Sequence, residues 1–203
     1  MDDLSFTTFL KLALMPTMQR RLSELQRMHS GDRGYDFYKQ MKFAAKGVAR
    51  GEIDPDIIIA NLETIKRPAE RTHNVQMAKN FLTWWNSLKG AEALTSAPNG
   101  TYKSDAMHFG IKMRPELAYV KDGTTYVVYL WATQLPAMTN QIAGAGLQIL
   151  RGKLAAGTFK DAKFSLLNLR TMKTLTEELI SNQSKTVAQA DIASINELWK
   201  SLT

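Results

Sequence analysis

The chain contains no cysteine. A disulfide scaffold, a thiolate zinc site and a cysteine nucleophile are therefore all excluded. The absence fits a cytoplasmic protein kept in a reducing compartment. Long apolar runs are missing too. The stretch Pro136 to Ala156 is interrupted by Asn140, Gln141, Gln148, Arg151 and Lys153. No run approaches the roughly 20 residues needed to span a bilayer, so no membrane partner is expected. The opening MDDLSFTTFLKLALMP has Asp2 and Asp3 where a secretory signal needs positive charge, and Lys11 breaks its apolar run; it reads as a short amphipathic helix. Catalytic signatures are equally scarce. There is no GxSxG elbow and no GxxxxGK[ST] loop. His29, His73 and His108 stand alone, without a second ligand at a recognised spacing, and read as ordinary surface or partly buried histidines. The sequence thus implies no metal and no cofactor, and leans away from an enzyme.

What is present is positive charge. The 203 residues carry a formal net charge of +7. Such a balance points to DNA, RNA or another polyanion as a partner, although the cations are scattered and form no dense run. Arg20, Arg21, Lys112, Arg114, Arg151 and Lys153 are the candidate phosphate contacts; each alone also reads as a solvated surface charge.

The fold class is α+β: an N-terminal helical region over 1–90, then an α+β region over 91–203, together one unit. Met18, Leu22, Leu25 and Met28 form one apolar stripe at spacings of four and three. Gly31 and Gly34 break the chain around Asp32 and Arg33. A second helix is expected from near Asp36 to Gly51. Asp54 and Pro55 mark the start of a third, with Ile57, Ile58, Ile59 and Leu62 packing inward. A longer helix follows Pro68 and closes at Gly90; on it Trp84 is expected nearer the surface than Trp85. Beyond residue 91 the signals become short and β-rich. Asp122-Gly123, between ELAYVK and TTYVVYLW, is a strong hairpin signal. Pro136 is expected to start a helix whose Gly144 and Gly146 allow close packing on a small mixed sheet. KFSLLNL reads as a strand, RTMK as a turn and SNQSKT as a polar loop. A last helix is expected over about Ala188 to Leu202, with Asp191 in its first turn.

From His108 to Lys173, the order of strand, hairpin, helix and strand resembles the core of the PD-(D/E)XK nuclease superfamily. Pro115-Glu116 is similar to that family's first acidic site. The position of its acidic-x-Lys triplet, which with the first acid would hold Mg²⁺ and activate water, is occupied by Tyr129, Leu130 and Trp131. The resemblance therefore implies a nuclease-like sheet without the catalytic pair. Glu116 would be catalytic, with Mg²⁺ as cofactor, only if other acids, such as Asp105 or Glu70, had taken over the missing places.

Three functions follow as expectations. The chain is a non-catalytic, nuclease-fold-like protein that binds nucleic acid or serves in a nucleic-acid-processing complex. Alternatively it is a protein–protein interaction module, a homo-oligomer or a subunit of an assembly, its Met- and Trp-rich helices providing the surface. The third possibility is a metal-dependent nuclease with rearranged ligands.

Overall fold

The structure, a computed structural model, describes residues 3–30 and 36–202. The break expected at Gly31 to Gly34 and the residue Asp2 lie outside the described residues. The elements run β1 (Leu4–Ser5), α1 (Phe6–Leu14), α2 (Met18–His29), α3 (Lys39–Ala49), α4 (Pro55–Glu63), α5 (Pro68–Ser87), β2 (Glu92–Ala93), β3 (Gly100–Tyr102), β4 (Ile111–Met113), β5 (Leu117–Lys121), β6 (Thr124–Trp131), α6 (Asn140–Leu154), β7 (Lys163–Asn168), β8 (Lys173–Thr176) and α7 (Asn182–Lys200). The chain is thus mixed α and β, with helices before and after the sheet strands. No described helix is long and apolar enough to cross a membrane.

The main sheet has five strands in the order β2-β5-β6-β7-β8. Asp122 and Gly123 both adopt positive φ, 49° and 72°, which is the type I′ geometry that matches strand twist. That turn fixes the antiparallel register from Leu117↔Val128 to Lys121↔Thr124. The crossover through α6 then makes β7 parallel to β6, with Tyr129 opposite Leu166 and Trp131 opposite Asn168.

Alternation along β6 divides the core into two layers. Val127, Tyr129 and Trp131 face a cluster with Phe6, Phe9 and Leu10 of α1, Leu147 of α6 and Ile195 of α7. Val128, Leu130 and Ala132 face Met41 and Ala45 of α3, Ile58 of α4, and Met77 and Phe81 of α5. Each layer draws on residues from both sides of position 90.

A second sheet was not expected. β4 pairs with β3 and, in parallel, with the two-residue β1, through Leu4↔Ile111. The run HFGIKM therefore does not join the hairpin's sheet. The strand beside β5 there is β2, through Ala93↔Tyr119.

Other expectations are corrected in detail. Pro136 follows a cis bond and precedes α6; the helix starts at Asn140 because Thr139 accepts a hydrogen bond from the Ile142 amide. SNQSKT is not a loop: Ser181 and Ser184 form a reciprocal capping box that opens α7. Asp191 consequently lies in mid-helix. Ile57 is exposed while Ile58 and Leu62 are buried, because three consecutive helical positions cannot share one face. Trp84 is buried and Trp85 only partly so: Trp84 packs on Phe81 and Tyr119, and its indole N–H donates to Thr174 of β8 at 3.2 Å. Gly144 and Gly146 make their closest approaches to segments other than the sheet. A Cβ on Gly144 would strike the Leu179 carbonyl oxygen, and one on Gly146 would lie 2.9 Å from Leu10 Cδ2.

Helix α3 lacks a side-chain cap of its own. The buried Asn74 of α5 supplies one, accepting from the Met41 amide at 3.2 Å and donating to the Phe37 carbonyl at 2.7 Å. This cross-helix cap sets the height of α3 against the sheet, and so the place of Lys42.

Candidate functional site

Glu116 lies just before β5 and is only partly exposed. Both of its carboxylate oxygens are engaged. Oε2 accepts the Leu130 amide of β6 at 2.8 Å, and Oε1 meets Lys42 Nζ at 3.0 Å. The two side chains are 12% and 17% exposed, so little water screens the pair. Burial, the largest single influence, lowers the pKa of the Lys42 ammonium; the Glu116 carboxylate, Tyr129 and Asp36 together outweigh burial and hold the amine above its ordinary range. Lys42 Nζ also lies 5.7 Å from the centre of the Tyr129 ring.

Tyr129 occupies the position where the resemblance asks for an acid. Its ring meets Phe6 edge-on, and its hydroxyl shares a 2.8 Å hydrogen bond with Thr7 Oγ1. Burial, reinforced by the nearby Glu116 charge, pushes the phenol up to about 12, so it is neutral at physiological pH. Trp131, two residues on, is wholly in the core, and its indole N–H has no partner among the described residues. One turn along α1 from Thr7, Lys11 is held below its ordinary pKa by burial, with Lys42 and Arg27 adding to the effect and Glu24 and Asp36 opposing it.

These residues do not fit a divalent metal. A magnesium ion needs free carboxylate oxygens in near-octahedral array. Here the Glu116 oxygens already serve an ammonium and an amide, and the neighbouring functional groups are cations and a neutral phenol. Asp105 is exposed in a turn beyond β3, and Glu70 is buried in the first turn of α5. Among the described residues, no three His, Asp or Glu side chains gather to hold a metal.

The candidate phosphate contacts divide. Arg21 is a structural tie. Its guanidinium pairs with Asp191 of α7 at 3.1 Å and also donates to Ser194 Oγ and to the Ala13 and Met15 carbonyls. Burial raises the Asp191 carboxyl even against that arginine. Lys112 pairs with Asp3 at 3.2 Å and Arg151 with Glu177 at 2.9 Å, both with the cation side chain about half exposed. Arg20, Arg114 and Lys153 are exposed and form no ion pair among the described residues. Lys112 and Arg114 share the outer face of the β4 strand, since Ile111 and Met113 point inward. Thr101 pairs with Lys112 across to β3, and the Lys153 stem lies beside Gly100 of the same strand. Arg114 and Lys153 thus lie near the same end of the smaller sheet, with the Lys153 stem on the side that Met113 faces and Lys112 and Arg114 on the other. Arg151 and Lys160, together with Glu177, line an open polar recess of about 600 Å³ at the end of α6, on a different side of that helix from Lys153. Arg20 stands apart on α2.

Sequence reasoning found Glu116 but not Lys42, Thr7 or the Tyr129 hydroxyl. The one signal for Lys42 was its place between Met41 and Ala45, next to the buried face of its helix.

No protein-family model matches the chain, and no curated protein matches it.

Proposed function

We propose that this chain is a non-catalytic, nuclease-fold-like protein that binds DNA or RNA, by itself or inside a nucleic-acid-processing complex in the cytoplasm. The observation that carries the reading is the Lys42–Glu116 pair. The acid that a nuclease-like core would give to a metal is instead neutralised by a lysine, while Tyr129 and Trp131 close the other two positions. The binding half of such a core needs only positive charge at the surface. The exposed Arg114 and Lys153, with Lys112 and the recess beside Arg151 and Lys160, offer it.

Fluorescence anisotropy with labelled single- and double-stranded oligonucleotides tests the reading. Binding is expected at low salt and falls steeply as salt rises. The double variant Arg114→Glu/Lys153→Glu is expected to weaken binding and reduce the slope of log K against log salt by about 2, close to one unit per lost phosphate contact. Equal affinity and slope in the variant would refute this placement of the site. Absence of any binding at low salt would refute the function itself.

A further inference from the structure

Between α3 and α4 runs a groove of about 450 Å³. Its floor is apolar: Ala44, Ile58 and Leu62 are buried, and Ile53, from the loop that joins the two helices, also lines it. A Cβ on Gly47 would strike the Ile53 side chain, so the bare glycine lets that loop close against α3. The walls have a different character. Phe43 lines the groove and is 72% exposed, a large ring with most of its surface in water. Gln40 on α3 and Asn61 on α4 also line the groove, and both are exposed. Neither side-chain carboxamide makes a hydrogen bond among the described residues.

The charge at this groove is positive and lies on α3. Lys39, Phe43 and Lys46 follow at spacings of four and three, along one line of the helix, and all are exposed. The two lysines stand roughly 10 Å apart along the axis with the ring between them. Neither forms an ion pair among the described residues. The α4 residues that line the groove, Ile58, Asn61 and Leu62, carry no charge. Asp56 and Glu63 lie on the other side of that helix.

We propose that this groove holds one unpaired base of a single-stranded nucleic acid. Phe43 stacks on the base, Gln40 and Asn61 meet its polar edge, and Lys39 and Lys46 meet phosphates on either side of it. The inference rests on the nucleic-acid reading above and adds a strand preference to it. An unpaired base presents a π-face, a hydrogen-bonding edge and flanking negative charge, and the groove has a partner for each. An apolar helix face set in the same groove would cover both carboxamides without pairing them. A duplex keeps its bases stacked on one another and presents none.

Fluorescence anisotropy at low salt, with a labelled short single strand and the duplex of the same sequence, tests the site. Every variant changes exposed residues and is checked for folding by circular dichroism. Phe43→Ala is expected to weaken single-strand binding at least about fivefold, the low end for one stacked base, and to leave duplex binding within about twofold. Gln40→Leu/Asn61→Leu is also expected to lose at least about fivefold on the single strand; an apolar occupant would bind this variant more tightly. Lys39→Ala/Lys46→Ala is expected to reduce the single-strand slope of log K against log salt by about 1.4, or about 0.7 per lost phosphate contact. A Phe43→Ala protein that binds the single strand as the wild type does, or that loses single strand and duplex alike, would overturn the proposal. So would unchanged or tighter binding by Gln40→Leu/Asn61→Leu, or an unchanged slope for the lysine variant. In each of these cases the wild type still binds and the nucleic-acid reading stands without this site; a wild type that binds neither form would end both.

Discussion

Replacing Glu116 by glutamine tests the site at its tightest point. Glutamine keeps an oxygen for the Leu130 amide but removes the charge that faces Lys42. A mostly buried ammonium is then left without a counter-charge, and breaking one side of such a pair costs about 3–5 kcal/mol. For a chain of this size that is a fall in Tm of roughly 10 °C. Lys42→Met, leaving the carboxylate alone, should cost a similar amount. The double variant Lys42→Met/Glu116→Gln removes both charges and is expected to lie within about 1 kcal/mol of the wild type, because it also sheds the cost of burying them. Urea unfolding followed by tryptophan fluorescence and circular dichroism supplies the four stabilities. The pH dependence gives a second readout. In the wild type the Lys42 pKa is raised, so its contribution is complete below the unfolded value of about 10.4 and is lost only above it. In Glu116→Gln burial, the largest influence, is opposed only by the weaker pulls of Tyr129 and Asp36 and is expected to lower that pKa, so stability should instead increase as pH rises towards about 10.4. Single changes that cost under about 1 kcal/mol, or a double variant whose loss equals the sum of the singles, would refute the claim that the pair is buried and coupled.

The Tyr129 phenol is held near 12 while an unfolded tyrosine ionises near 10, so stability should fall by about 2–3 kcal/mol as pH climbs between those values. Tyr129→Phe should flatten that fall in alkaline urea titrations, and an unchanged profile would count against it. Gly144→Ala forces a methyl group onto the Leu179 carbonyl and should destabilise by about 1–3 kcal/mol. Gly152→Ala, with open space around it on the same helix, should instead stabilise by about 0.5–1 kcal/mol; calorimetry should show Tm shifts of opposite sign. Asn74→Ala removes the cap of α3 and leaves the Met41 amide unpaired in a buried place, which should cost about 2 kcal/mol or more in chemical denaturation.

The parts of the fold legible in the sequence were those specified locally. Asp122-Gly123 named its own turn, since only residues tolerant of positive φ fit there, and the flanking alternation followed from it. Asp54 and Pro55 likewise fixed the start of α4. What was not legible depends on distant partners. The start of α3 is set by Asn74 from another helix, and β1 is a strand only because Leu4 meets Ile111. Trp84 and Trp85 could not be ordered by helical period alone, because Trp84 is covered from the side by β8 as well as from the sheet below. At the site, Pro115-Glu116 before a strand was a visible sign. Its partner Lys42 lies far off in the chain, and no spacing rule connects the two. Among the candidate phosphate contacts, Arg21 and Arg20 are neighbours in sequence yet opposite in role. One is held by α7 and the other faces solvent, a distinction that rests on Asp191 and Ser194.

The most direct test of a nuclease-like core that binds without cutting reads binding and strand integrity in the same samples. Labelled DNA and RNA oligonucleotides, single- and double-stranded, are incubated with the protein at low salt with Mg²⁺ or Mn²⁺. Anisotropy reports the complex, and a denaturing gel reports the strands. The account predicts salt-sensitive binding with every strand intact, and the same intact strands with Glu116→Ala. Cleavage by the wild type that disappears in Glu116→Ala, or no binding to any oligonucleotide at low salt, would contradict it.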